Sequence, residues 1–454
     1  MTDAKSPLLQ ADSDIPTPYA ALLRHHSNLV IGKDSAAGAS VSICCFNLVL
    51  STIGVGALTL AQTTATVGWL QSLVMLVLCF FISIYNLYLL DNVCRTLPSG
   101  ATSTTYADIV SCVLGKAGAY TLEGFMLLYS FGLTVSYLGV VGNQMSTVFD
   151  FLLGEHSTAM WLQPNFLMMV AGICVVFPLS FLPDKLLSMA GALGTFCMLL
   201  TTIVVVWEVP FRYEAPFIAM CTGPSSLSGT STTQEHTSEP IAWLSTPRGA
   251  LTSIPIYFFC MNAATAFVSI RSQMQAGEDG QPPRRSVVKL VWLAQVIALV
   301  DYLMSGGAGY AQFCEQAPDN VLDGYPAGHL KSLVARSALA LQLTAACAGV
   351  YVPLARASLW HLVGGVESGA PHGVKSVIAT ASLICTMVLV AFALNGALTL
   401  PLGLTSAVCT TAIMFVFPGL CASRATSAKF FPLMFAATGL LIGTLSTVTL
   451  LLPS

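Results

Sequence analysis

Between Asp34 and Asp91 lie 56 residues without a single Asp, Glu, Lys or Arg. Another 48 uncharged residues run from Lys375 to Arg424, and 22 from Lys185 to Glu208. Stretches of this length decide the solvent. About 20 apolar residues at 1.5 Å rise cross a ~30 Å hydrocarbon core, and in lipid only helices or closed barrels satisfy the backbone. The apolar runs are continuous rather than alternating, which argues against barrel strands. Charged residues make up only 9% of the chain. A soluble domain carries roughly 25%, so these charges cannot cover a water-soluble enzyme of this size. The hydrophobic content of 55% excludes a disordered chain, and a net charge of −3 leaves no basic excess for nucleic acid.

The hydropathy pattern predicts an all-α polytopic membrane protein with about eleven transmembrane helices. They fall at roughly 40–64, 68–92, 118–150, 164–182, 186–208, 249–274, 287–311, 331–357, 374–394, 403–421 and 429–452. Residues 1–39 read as a polar N-terminal tail with no signal-peptide core, and residues 40–454 as one membrane domain. With the N-terminus in the cytoplasm, 14 of the 18 basic residues face the cytoplasm and only Arg212, Arg248, Lys331 and Arg336 lie outside. The positive-inside rule therefore predicts a cytoplasmic N-terminus and a non-cytoplasmic C-terminus. Leu8-Leu9 in "DAKSPLLQ" is a weak di-leucine sorting pattern, so plasma membrane and a lysosome- or vacuole-like organelle both stay open.

Ahead of the third span, "TTYADIVSCVLG" (104–115) reads as a short interfacial helix, capped by Thr104 or Thr105 with Asp108 in its first turn. Most of the 14 cysteines sit inside spans as small apolar residues. Cys221 and Cys314 differ: both fall in non-cytoplasmic loops and are a candidate disulfide. The seven histidines have no metal-ligand spacing, and Cys44-Cys45 has no His or acidic partner, so no metal site is expected. No Ser-His-Asp set, phosphate loop or carboxylate pair appears, so neither an enzyme nor a cofactor is expected.

The first span carries Gly54 and Gly56 around Val55, within "STIGVGALTL". Each glycine costs a helix interior about 1 kcal/mol relative to Ala. At i and i+2 the two do not share a face, so a packing seam explains them poorly. An unwound segment at mid-membrane explains them better. Five spans later, "GALTSIPIYFFCMNAATAFVSIRSQM" (249–274) holds Pro255, which can break the ladder, and a mid-membrane Asn262. Paired interruptions at equivalent positions are the best sequence pointer to a transport site. Asn262 is open to a second reading as an interhelical hydrogen bond.

At these residues the chain resembles the amino acid/auxin permease family, eukaryotic relatives of the LeuT-type transporters. The resemblance runs through "FNLVLSTIGVGALTLA" (46–61), "YADIVSCVLGKAG" (106–118), "SYLGVVGNQM" (136–145), "FPLSFLPDKLLSMAGALG" (177–194) and "DYLMSGGAGYAQFCEQAPDNVLDGYP" (301–326), in the family's order. It implies two inverted five-helix repeats plus one helix, with helices 1 and 6 broken. It implies amino-acid contacts at Ile53, Gly54, Val55 and Gly56, and at Phe259, Cys260, Met261 and Asn262. Two departures stand out. Leu50 and Ala346 occupy the positions where the sodium-coupled branch has Asn and Thr, and neither side chain offers oxygen to a hard cation. Asn262 stands where many members have His.

Asp301 in span 7 and Arg336 in span 8 fall at matching depths, about 22 Å up the core by helical rise. Intramembrane charges are costly and often functional, so Asp301 held by Arg336 is the candidate proton-coupling site. A structural ion pair or an outer aqueous vestibule are the plainer readings. Glu123 is expected near the cytoplasmic surface, snorkelling or paired with Lys116. The whole reading is a secondary transporter moving neutral amino acids across a membrane by alternating access, with protons as coupling ion or by facilitation. A sodium-coupled carrier and an amino-acid sensor signalling through the tail stand as alternatives.

Overall fold

The computed structural model describes residues 40–97, 105–154, 160–182, 184–212, 244, 246–277, 281–326, 328–364, 373–394 and 399–452, with backbone alone at Leu50, 184–192, 210–212 and 399–400. Among the described residues every regular element is helical. The first span is divided into α1 (Val41–Thr52) and α2 (Gly56–Val67). Gly68 alone, at φ 87°, joins α2 to α3 (Trp69–Thr96). Next come α4 (Tyr106–Leu153), α5 (Pro164–Leu179) and α6 (Asp184–Arg212). The sixth span is divided into α7 (Pro247–Cys260) and α8 (Ala264–Gln273). The remainder is α9 (Arg284–Phe313), α10 (Leu330–Gly364), α11 (Val374–Ala393), α12 (Pro401–Ala425) and α13 (Phe430–Leu451).

Eight helical stretches among the described residues are long and apolar enough to cross a membrane: α3, α4, α7 with α8, α9 and α10 to α13. Pro164–Leu179 and Leu193–Val209 are shorter apolar helices, and the divided first span contributes two pieces of 12 residues each. The architecture is therefore an all-helical, multi-pass membrane protein. Its outer faces are apolar in the way lipid demands: α13 leaves Phe430, Leu440, Leu445 and Leu451 exposed.

Local chemistry sets the boundaries. Thr105 caps α4 with a full capping box, its side chain accepting from the Asp108 amide while Asp108 accepts from the Thr105 amide. Gly115 then takes φ 79°, so the expected interfacial helix and the third span meet at a corner inside one continuous element. Pro164 and Pro247 open α5 and α7, where the missing N–H costs nothing. Pro255 does not break the sixth span as expected. It is buried inside α7, which continues to Cys260, and the interruption follows at Met261–Ala263.

The core is one connected cluster. α9 packs on both pieces of the divided first span, and α4 lies against α5, α10, α11 and α12. Three spans carry a π-turn: Ala171–Val176 in α5, Cys347–Tyr351 in α10, and two successive turns over Ser406–Val416 in α12. Each shifts helical register and frees a carbonyl. Tyr106 uses one of these, donating its hydroxyl to the Ile413 carbonyl at 2.9 Å.

Candidate functional site

The two interruptions meet. A β-carbon on Gly56 would fall 2.5 Å from the Cys260 sulfur and 3.5 Å from the Phe259 ring. Gly56 thus marks a close approach of the two broken spans, where a larger residue would have to displace the Cys260 side chain. It does not have the positive φ that glycine alone tolerates, and neither does Gly54. All eight residues expected at the breaks lie at or beside them, and Ile53, Val55, Phe259, Cys260, Met261 and Asn262 are buried.

The backbone around the first break has groups to spare. Ile53 is extended, and the first bonds of α2 run from the Ala57 and Leu58 amides to the Gly54 and Val55 carbonyls. The Val55 and Gly56 amides have no backbone partner. They sit at the positive end of α2, where an anion is favoured. At the second break, Asn262 Oδ1 accepts from the Ala264 amide at 3.2 Å, an Asx-turn leading into α8. Its Nδ2 is buried without a partner. The Oδ1 bond is local, and across the helices Asn262 faces the Tyr129 hydroxyl of α4.

Four tyrosines surround the meeting point, and only the distant helices reveal them. From α4 come Tyr129 and Tyr137, from α9 Tyr302 and from the π-turn of α10 Tyr351. Tyr137 and Tyr351 touch through their hydroxyls at 3.4 Å and edge to face at 5.3 Å between ring centroids. Tyr129 lies 6.3 Å from Tyr351 and 6.4 Å from Phe259, with its hydroxyl beside Asn262. Tyr137 reaches Gly54, and Tyr302 donates to the Thr52 carbonyl at 2.7 Å. The π-turn at 347–351 is what swings Tyr351 toward Tyr137. Spacing within one helix carries no trace of this convergence. The one available signal was Tyr137 and Tyr302 within segments that resemble family motifs.

The charged candidates separate. Asp301 is 7% exposed, faces Thr202 of α6 and leaves Oδ2 without a hydrogen bond. Arg336 does not hold it. Its guanidinium goes instead to Asp323 (3.2 Å), Gln144 Oε1 (2.8 Å), Ser332 and the carbonyls of Leu322 and Tyr325. Matching depth placed both residues in one layer but could not say which way each helix face turned. At the opposite end of the bundle, Arg271 of α8 pairs with Asp91 of α3 at 2.6 Å, and both are buried. Arg95 bonds the other Asp91 oxygen at 2.8 Å and the Pro282 carbonyl at 3.0 Å.

Glu123 also corrects expectation. It is buried at 1% exposure, accepting from Ser358 at 2.6 Å and lying 3.0 Å from His361 Nδ1. The burial of His361 and Ser358 on α10 shields it from the interface expected for it. Cys314 is disulfide-bonded, and Cys221, like Leu8-Leu9 and the rest of the tail, lies outside the described residues. The Leu50 side chain does too; Ala346 ends the regular part of α10 just before its π-turn.

A family model, that of the transmembrane amino acid transporter proteins, matches residues 37–451. This chain belongs to that family. Among curated relatives, a sodium-coupled neutral amino acid transporter 7 from Xenopus laevis is 24% identical over 313 residues, which is 67% of this chain and 63% of the relative. A Mus musculus protein provisionally named sodium-coupled neutral amino acid transporter 11 is 27% identical over 180 residues, 39% of this chain and 38% of the relative. The matched stretches thus span less than two thirds of either relative's own length.

Proposed function

We propose that this protein is a secondary transporter of amino acids that works by alternating access around the two breaks. One observation carries the reading: two interrupted spans, far apart in sequence, are packed break to break, with Gly56 against Cys260 and Phe259. Unpaired amides at Val55 and Gly56 suit a substrate carboxylate, and the carbonyl ends of α1 and α7 attract its ammonium group. Ile53, Gly54, Val55, Gly56, Phe259, Cys260, Met261 and Asn262 are the substrate contacts in this reading. Family membership supports amino acids as the substrate class. The finer architecture we propose is eleven spans in two inverted five-helix repeats plus one. Its Arg271 end and N-terminus face the cytoplasm of a plasma or lysosome-like membrane, and a Cys221–Cys314 disulfide closes a loop on the other side.

In this reading the substrates are neutral. Asp301 serves as the coupling site, since a buried carboxyl oxygen without a partner is a place for a proton to come and go. The sodium-coupled alternative draws support from the names of both relatives. Uptake by proteoliposomes of a mixed amino-acid panel, under separate proton and sodium gradients, tests both. Uptake driven by the proton gradient, and lost in Asp301→Asn while exchange persists, is the expected result. Uptake driven by sodium alone would replace it with the alternative. Binding without movement of any amino acid would leave a sensor.

A further inference from the structure

Each half-helix that ends at a break leaves its last carbonyls without partners and points the negative end of its dipole at the site. Carriers with broken helices commonly satisfy such ends with a cation. Here one carbonyl at each end accepts from a hydroxyl group of another helix. The carbonyl of Thr52, the last residue of α1, accepts from the Tyr302 hydroxyl at 2.7 Å. The carbonyl of Met261, just past the end of α7, accepts from the Ser83 hydroxyl at 2.7 Å. Both donors are essentially shielded from solvent, Tyr302 at 1% and Ser83 at 0% exposure.

Tyr302 does more than Ser83, because a hydroxyl both donates and accepts. With its one proton committed to Thr52, its oxygen faces the Gly54 amide at 3.4 Å. A bound cation could take the carbonyl but would repel that N–H. The tyrosine therefore bridges the break in a way no ion can, and fixes the peptide planes on both sides of Ile53. What it leaves over is selective. The Thr52 carbonyl is filled, the Gly54 amide is only weakly held, and the Val55 and Gly56 amides stay open.

We propose that Tyr302 is a positioning residue of the substrate site: its hydroxyl stands where a cation would otherwise cap the first half-helix, and thereby holds the break with its amides turned toward a substrate carboxylate. This deepens the amino-acid carrier reading and rests on it. It also gives Asp301 a route to the site, since a change of charge on that residue acts on the very next one.

The test is Tyr302→Phe in the full-length protein, which removes the oxygen and keeps the ring. In proteoliposome exchange, KM for amino acids should rise about tenfold, the effect of one hydrogen bond to a buried carbonyl. The maximal exchange rate should hold within about twofold. Sodium should lower KM of the variant more than that of the parent protein, because the freed carbonyl can now take an ion. Hydrogen–deuterium exchange needs no substrate: the amides of residues 54–56 should exchange about tenfold faster in the variant, with residues 261–264 unchanged. Unchanged KM, or a fall in rate alone, would overturn the proposal, and so would unchanged exchange at residues 54–56. If the parent protein moves no amino acid, the carrier reading fails, and the exchange experiment still decides whether Tyr302 holds the break.

Discussion

Both ends of the bundle are fastened by an arginine, yet the two fastenings are built on different physics. Arg271 joins α8 to α3 through Asp91, and the two side chains are only 7% and 4% exposed. It also bonds Gln281 at 2.7 Å, while Arg95 covers the second Asp91 oxygen. Arg336 is equally buried at 4%, but its acidic partner Asp323 is 42% exposed. Its remaining donors go to neutral groups: Gln144, Ser332 and two backbone carbonyls. One end is thus a closed ion pair, the other a cation wrapped in dipoles with its counter-charge half in water. A buried pair resists separation because each charge stranded by opening must be rehydrated or left uncompensated. Parting Arg336 from Asp323 strands one buried charge rather than two, since that carboxylate is already half in water and the guanidinium keeps its neutral partners. If the site alternates between two sides, the Arg336 end should open more readily.

The largest effect should come from removing the buried partner of Asp91. Arg271→Gln leaves the buried Asp91 with only the partly exposed Arg95 and is expected to cost about 3 kcal/mol, read as a fall in the detergent melting temperature. Adding Asp91→Asn should recover most of it; failure to recover would mean that packing, not charge, holds this end. Arg336→Gln should cost less, about 1–3 kcal/mol, because it strands hydrogen-bond acceptors rather than an ion. The same melting series measures it, and a cost equal to that of Arg271→Gln would erase the contrast. Asp323→Asn should be smallest, within about 1 kcal/mol, and its effect should vanish in 1 M salt. A salt-resistant loss would show Asp323 to be part of a buried pair after all.

Much of this molecule was legible in the sequence, for reasons that differ by level. Helices were legible because lipid permits little else, and the apolar runs are long. The breaks were legible because glycine at Gly54 and Gly56 is a poor choice for a buried helix unless something else needs it. At Gly56 the something else proved to be contact with Cys260, which no spacing announces, and Gly54 faces the Tyr137 hydroxyl. The exact interruption near Pro255 shifted by half a dozen residues, since a proline can sit in a helix whose neighbours absorb the lost bond. Glu123 and Arg336 went astray for one shared reason. Depth along a helix follows from counting, but azimuth does not, and their partners His361, Ser358, Gln144 and Asp323 come from other elements. The four tyrosines were hidden in the same way, with partners as far as 250 residues apart.

The single-residue corner at Gly68 has a mechanical meaning. Its backbone geometry suggests a pivot, but side chains brace it on the inside: Thr64 and Ser72 meet hydroxyl to hydroxyl at 2.8 Å across the bend, and Tyr257 of α7 bonds Ser72 at 2.7 Å. The bend behaves as a gusseted bracket. α2, α3 and α7 are welded into one lever arm, α8 is tied to it through Arg271 and Asp91, and a rocking motion must find its hinge elsewhere.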